Sequence, residues 1–145
     1  MAEESAYFDT SVVVKRYVEE ARSPQARGFM RRYRLLSSVL APVETVSAVC
    51  RRHRAGELSL TDFDAILARL RTDRAHWELV ELSPLIRRRA EKLLQQTALR
   101  ALDALHIASA LIVQEDSGTA LPFVTADERQ RTAAVGAGLR VLWVG

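Results

Sequence analysis

Short apolar runs that alternate with longer amphipathic stretches constrain the fold of this chain more than any other feature. The runs typical of short buried strands are AYF, VLAPVE, WELVEL, LPFVT and LRVLWV. Strands separated by helices pair in parallel, because each helix carries the chain back across the sheet in a right-handed crossover. The pattern therefore predicts an α/β protein, a three-layer α/β/α sandwich with a central parallel sheet.

Amphipathic stretches with helical spacing fill the gaps between these runs. Several begin at serine or proline, since serine caps a helix and proline is tolerated in a first turn whose N–H groups lack helical partners. The predicted helices are Ser11–Glu20, Ser23–Arg34, Val43–Arg54 and the stretches 59–77, 83–96, 101–115 and 127–138. Helices are therefore expected to outweigh strands.

Length and composition limit the classes of protein that the chain can belong to. With 145 residues, 48% of them hydrophobic, residues 1–145 are expected to form a single domain with one core. No apolar run is long enough to span a membrane, and MAEESAYFD lacks the basic start of a signal peptide, which predicts a cytoplasmic protein. The single cysteine, Cys50, excludes an internal disulfide and a cysteine-based zinc site. Phosphate-binding glycine loops and a serine nucleophile elbow are also lacking.

Carboxylates recur near the predicted starts of helices. Asp9 follows the first strand, Glu44 lies just past VLAP in a first helical turn, and Asp103 is in the first turn of the helix that begins near Ala101. Asp127 follows FVTA and opens the last helix. Each acid alone is explained by helix capping or by the helix dipole, and Asp127 with Gln130 has the spacing of a capping box.

The four acids together indicate more than capping. In a parallel sheet the carboxyl ends of the strands share one edge, and ligands bind in the crevice there. Carboxylates that converge on one crevice repel each other unless they are protonated or a cation neutralises them. Oxygen ligands suit Mg²⁺ or Mn²⁺ and disfavour zinc, and such ions assist phosphodiester hydrolysis by activating water. The sequence therefore predicts a metal-binding catalytic site at Asp9, Glu44, Asp103 and Asp127.

Other polar residues near these acids are less specific. Thr10, Ser11 and Thr125 neighbour the acids and can hydrogen-bond to them or to a metal-bound water, but they are also ordinary capping residues. His106 lies three positions after Asp103 in an apolar helix. We interpret it as a core or boundary histidine whose hydrogen bonds are satisfied rather than as a catalytic group.

Four segments spread along almost the whole chain carry a family resemblance. They are YFDTSVVVKRYVEE, VLAPVETVSAVCRR, LRALDALHIASAL and PFVTADERQRTAAVGAGLRVL. As a set they resemble the PIN-domain ribonucleases, above all the VapC toxins of toxin–antitoxin pairs. The resemblance implies a PIN-like fold, an acidic pocket that binds Mg²⁺ or Mn²⁺, and endonucleolytic cleavage of RNA. Carried over position by position, the family's acids are Asp9, Glu44, Asp103 and Asp127. One departure is that Gln130 and Arg131 are polar where an apolar residue is expected.

The resemblance also implies partners. VapC-type proteins form homodimers and are held inactive by a VapB-type antitoxin, whose tail lies in a groove near the active site. The helical stretch Val43–Trp77 is the expected wall of that groove. The residues Phe63, Ile66, Leu67 and Leu70 either face a partner helix or pack in the core. The net charge of +3, carried mostly by arginine, is expected to attract RNA phosphates without specifying a sequence.

Two alternatives remain at this point. A PIN-domain nuclease that acts in RNA processing or DNA repair would need no antitoxin. A non-catalytic binding module would use the same acids only as helix caps, and Asp9→Asn would then change stability slightly and cell growth not at all.

Overall fold

The computed structural model describes residues 3–145, which form a five-stranded sheet covered by helices on both faces. The strands are β1 (Ser5–Phe8), β2 (Arg34–Ser38), β3 (Glu78–Val80), β4 (Pro122–Thr125) and β5 (Arg140–Trp143). The α-helices are α1 (Thr10–Tyr17), α2 (Ser23–Arg32), α3 (Leu40–Arg54), α4 (Leu60–Asp73), α5 (Pro84–Gln96), α6 (Ala101–Ser117) and α7 (Glu128–Gly136). A short 3₁₀ turn, Arg74–His76, follows α4.

The sheet has the strand order β3-β2-β1-β4-β5, and all neighbouring strands are parallel. This confirms the predicted fold class. From the central strand β1 the chain first builds outward through β2 and β3, and then returns to place β4 on the other side of β1. The connections therefore reverse direction between β1 and β4. In open α/β sheets such a switch point leaves a crevice at the carboxyl ends of the two strands.

Alternate residues of the strands enter different layers, because successive side chains of a strand point to opposite faces. On one face Tyr7 stacks on Phe123, with ring centroids 5.5 Å apart, beneath α5, α6 and α7. On the other face Phe8 and Val124 pack against α1 and its neighbours α2, α3 and α4. The sheet thus has a buried apolar core on each side.

The second strand lies earlier in the chain than the sequence pattern predicted. It is Arg34–Ser38, and the predicted strand in VLAPVE is wrong. Ser37 and Ser38 are both fully buried, so this strand lacks a continuous apolar run. The Ser37 hydroxyl donates to the carbonyl oxygen of Phe8 at 2.6 Å, which explains how a polar side chain is accommodated there.

Helix α3 consequently begins at Leu40, before Pro42 rather than after it. Proline is tolerated at this place because the first-turn N–H groups have no intrahelical acceptors. Glu44 is therefore the fifth residue of α3, and its predicted position in the first turn is wrong. Two other predicted helices are too long, since α1 ends at Tyr17 and α2 at Arg32.

The apolar residues of α4 divide between core and surface. Leu70 is 2% exposed and belongs to the core, whereas Phe63 and Ile66 are half-buried against it. Leu67 is also half-buried. Within residues 3–145, none of the helices has the length and apolar character needed to cross a membrane.

Candidate active site

A cavity of about 460 Å³ opens at the carboxyl edge of the sheet, at the switch point between β1 and β4. All four acids selected from the sequence line it, namely Asp9, Glu44, Asp103 and Asp127. Thr10, Ser11 and His106 line it as well. Thr125 is not part of the lining, but its hydroxyl donates a hydrogen bond to the carboxylate of Asp9. Asp9 follows β1 and Asp127 follows β4, whereas α3 and α6 bring the other two acids to the same place.

Asp9 lies at the bottom of the cavity and is only 4% exposed. One carboxylate oxygen accepts from the Ser11 backbone N–H at 2.7 Å, and the other accepts from the Ser11 and Thr125 hydroxyls. Burial raises the pKa of Asp9, although the charge of His106 and these hydrogen bonds oppose that rise. The carboxylate is therefore held in a fixed orientation by Ser11 of α1 and Thr125 of β4.

Glu44 and His106 form a second, partly buried hydrogen-bonded group. Nε2 of His106 lies 2.6 Å from Oε1 of Glu44, which also accepts from the Thr10 hydroxyl at 2.9 Å. Nδ1 of His106 lies 2.8 Å from the hydroxyl of Tyr7, on the central strand. His106 is 1% exposed, so it is a buried histidine with satisfied hydrogen bonds, as the sequence indicated. It also holds Glu44 against the cavity.

His106 is surrounded by negative charge. Burial lowers the pKa of its imidazole, but the hydrogen bond to Glu44 and the charges of Asp9, Glu44 and Asp103 outweigh that effect and raise the pKa. A protonated His106 therefore offsets part of the repulsion among the acids.

Asp103 faces the cavity from the first turn of α6. Its Oδ1 accepts a long hydrogen bond of 3.4 Å from the side chain of Gln130, whereas no residue within 3–145 donates a hydrogen bond to its buried Oδ2. The guanidinium of Arg100 approaches Oδ2, with Nε 3.6 Å away. Burial and then the charge of Asp127 raise the pKa of Asp103, against the opposing charge of Arg100. A buried carboxylate oxygen without a protein donor is suited to bind a cation or to accept a hydrogen bond from water.

Gln130 explains the departure noted in the sequence. Its side chain is 1% exposed and turns toward Asp103, so it does not complete the predicted capping box with Asp127. Asp127 alone caps α7, through hydrogen bonds from the N–H groups of Arg129 and Gln130. The polar residue at position 130 thus contacts an acid of the cavity, while Arg131 lies over the ring of Trp143 at the surface.

The donor set fits a hard divalent cation in its chemistry, because every acid offers carboxylate oxygens. The acids are not gathered into a closed cage: within residues 3–145, no three carboxylate, imidazole or thiol groups lie close enough to surround one ion. Mg²⁺ is commonly held by one or two carboxylates and retains several waters. The open arrangement, with the unpartnered Oδ2 of Asp103, therefore fits an ion of that kind.

We expect Mg²⁺ or Mn²⁺ to raise the melting temperature of the protein, because an ion that binds only the folded state stabilises it. At about 100 times the dissociation constant the gain is about 2.7 kcal/mol. Glu44→Gln, which keeps the acceptor for His106 but loses the charge, should show a smaller rise. Glu91→Gln, at an exposed position on α5, is the matched control. A thermal melt with and without EDTA measures the difference, and an equal rise in both variants would contradict a role of Glu44 in holding the ion.

The family comparison agrees with this geometry. A sequence model of the PIN domain matches residues 6–136. The chain belongs to the PIN-domain family. PIN domains are generally nucleases, which supports a hydrolase that acts on nucleic acid. Comparison with curated proteins gave no significant match.

Solved structures share the fold of this PIN domain over nearly its whole length. A toxin–antitoxin complex from Klebsiella pneumoniae contains a chain with 18% identity and a TM-score of 0.66, covering 95% of this chain and 96% of that one. VapBC-5 from Mycobacterium tuberculosis has 18% identity and a TM-score of 0.61, covering 97% of each chain. VapBC2 from Rickettsia felis, bound to a DNA fragment from its promoter, has 12% identity and a TM-score of 0.65, covering 97% and 98%. At these identities the likeness shows the fold alone.

Proposed function

We propose that this PIN domain is a metal-dependent endoribonuclease and the toxin of a type II toxin–antitoxin pair. The observation that carries the proposal is the cavity that Asp9, Glu44, Asp103 and Asp127 line together at the switch point of the sheet. Mg²⁺ or Mn²⁺ bound there would activate water for attack on an RNA phosphodiester.

The residues of the chain have separate roles in this proposal. Asp9 and Asp103 would hold the ion most directly, because one lies at the bottom of the cavity and the other has an oxygen without a donor. Glu44, fixed through Oε1 by His106 and Thr10, would present its other oxygen to the cavity. Asp127 would contribute from the rim, and Ser11 and Thr125 would keep Asp9 in position through their hydrogen bonds to its carboxylate.

Capping alone does not explain all four acids. Asp9 caps α1 and Asp127 caps α7, each through a hydrogen bond to a backbone N–H. Glu44 instead lies in the second turn of α3 and bonds to His106, and Asp103 bonds to the side chain of Gln130. Glu44, a half-buried acid outside the first turn of its helix, favours a metal-binding pocket over the non-catalytic module.

The partners follow from the likeness to toxin–antitoxin structures. We propose that a VapB-type antitoxin binds this chain, that residues 1–145 act as one domain in a homodimer, and that the pair is cytoplasmic. Val43, an apolar residue near the start of α3, lines the cavity and is 69% exposed, which suits contact with a partner helix. If no small gene for an antitoxin accompanies this one, the alternative of a PIN nuclease in RNA processing or DNA repair is favoured instead.

The test is cleavage of a total-RNA pool by the purified chain with Mg²⁺ or Mn²⁺. The controls are the same reaction in EDTA and the same reaction with the Asp9→Asn variant. We expect discrete fragments that require both the metal and Asp9, and the fragment ends would identify the target. Circular dichroism of Asp9→Asn would establish that the variant is folded. Cleavage that persists in folded Asp9→Asn, or an absence of cleavage from a pool that includes tRNA, rRNA and mRNA, would contradict the proposal.

A further inference from the structure

A second, basic cavity adjoins the acid-lined one. It has a volume of about 310 Å³ and shares Ser11, Val14, Ala48 and Arg51 with its neighbour. Its charged lining consists of Lys15, Arg51 and Arg52 against the single acid Glu20. The two cavities are therefore neighbours, one acidic at the switch point of the sheet and the other basic between α1 and α3.

The cations of the second cavity differ in whether an acid compensates their charge. Lys15 is paired with Glu20 at 3.4 Å, and Arg52 is paired with both Glu20 and Glu57. Arg51 is exposed and makes no ion pair with any acid in residues 3–145. It is also the charged residue among the four that line both cavities, so its charge is available to a ligand that extends from one to the other.

The Arg51 side chain is held in a defined direction. Its Nη1 donates to the Ser47 hydroxyl at 2.9 Å, one turn earlier in α3. Side chains of a helix lean toward its N-terminus, and this hydrogen bond fixes Arg51 along the wall that also carries Glu44. A guanidinium presented in this way can still donate from its remaining N–H groups to two oxygens of a phosphate.

We propose that Arg51, oriented by Ser47, binds the RNA phosphate next to the scissile one, and that the strand continues into the basic cavity beside Lys15. This inference rests on the proposed function, because it takes the acid-lined cavity as the site of cleavage. The acids require a cation before they accept a phosphate, whereas Arg51 accepts one without any metal. Arg51 is thus a substrate-binding residue and takes no part in the chemical step.

The position of Arg51 in the last turn of α3 has a second explanation, since cations are favoured at the C-terminus of a helix. Arg54 separates the two explanations. It is exposed in the same last turn, and it lines neither cavity. Arg54→Ala removes the same charge with the same effect on the helix dipole, and is therefore the matched control for Arg51→Ala.

The experiment measures binding of a labelled, mixed-sequence single-stranded RNA by fluorescence anisotropy in EDTA, at several salt concentrations. For Arg51→Ala we expect an affinity about tenfold lower, because a hydrogen-bonded charge is lost. The slope of log K against log salt should become shallower by about 0.7, the value for one phosphate contact on a single strand. Arg51→Lys should keep the slope and recover part of the affinity, and Arg54→Ala should match the wild type.

A kinetic comparison in Mg²⁺ gives the second measurement. Arg51→Ala should raise KM about tenfold and leave kcat nearly unchanged, since uniform binding is lost. If the wild type cleaves RNA while Arg51→Ala and Arg54→Ala behave alike, the inference fails and the nuclease proposal stands. If Arg51→Ala weakens RNA binding but no chain cleaves RNA, the nuclease proposal fails and the binding site stands. Absence of RNA binding by the wild type would overturn the inference.

Discussion

Replacing Asp103 with asparagine is expected to abolish RNA cleavage and, in cation-free buffer, to make the protein more stable. Loss of a group that only supports a metal ligand commonly costs 10–100-fold in activity, so loss of the ligand itself should exceed about 100-fold. The stability gain has an electrostatic cause. Burial and the charge of Asp127 raise the pKa of Asp103, which means that folding disfavours its charged form. Asparagine removes that charge and keeps an acceptor for Gln130.

The pH dependence of this gain has a definite sign. Because the folded-state pKa of Asp103 is raised, the wild type gains stability relative to Asp103→Asn as the pH falls through that pKa. The advantage of the variant should therefore be largest at neutral pH and shrink in acid. Thermal melts of both proteins in EDTA, at pH values from neutral down to the pKa of a free carboxyl, measure this advantage. Asp64→Asn, at an exposed position, is the control. A variant that is less stable at neutral pH would contradict the electrostatic account, and one that still cleaves RNA would contradict the role of Asp103.

The second large effect concerns His106. We expect His106→Ala to lower the free energy of unfolding by about 3 kcal/mol, from the cavity that it creates and the hydrogen bonds that it removes. The hydroxyl of Tyr7 loses its partner inside the core, and Glu44 loses the group that positions it. Exposed His76→Ala should change stability by no more than about 0.5 kcal/mol.

The loss in His106→Ala should also depend on pH. The raised pKa of His106 means that the folded protein favours the imidazolium. This contribution is fully present below the unfolded-state pKa and is lost as the pH rises through the folded-state pKa. Urea unfolding of wild type and variant across that range is the measurement. An equal loss on both sides of the range would exclude a charged His106, and a loss below 1 kcal/mol would contradict its structural role.

The positions of Asp9 and Asp127 were predictable because they depend on local sequence. Each follows an apolar run with strong strand character and precedes a helix, and parallel pairing then brings the ends of those strands to one edge. Asp103 was predictable only as the start of a helix. Its approach to the same edge depends on how α6 packs against the sheet, which the sequence pattern does not specify.

Glu44 lies in the same cavity as the other three acids, although the local structure predicted for it is wrong. The strand before it carries Ser37 and Ser38 in the core, so its apolar signal is weak, and the sequence predicts a helix that begins at Val43 rather than at Leu40. The contact of Gln130 with Asp103 and the position of Arg51 between the two cavities depend on tertiary packing. For His106 a signal was present, since a residue three positions after Asp103 lies on the same face of α6.

The place of β4 in the sheet has a consequence for synthesis on the ribosome. Although β4 pairs directly with β1, more than a hundred residues separate Phe8 from its partner Val124 along the chain. A nascent chain in which residues 122–127 have not yet been synthesised lacks the Thr125 hydroxyl that donates to Asp9, and it lacks Asp127 altogether. The acid-lined cavity therefore forms late in synthesis, when most of the chain has already left the RNA-rich exit tunnel of the ribosome.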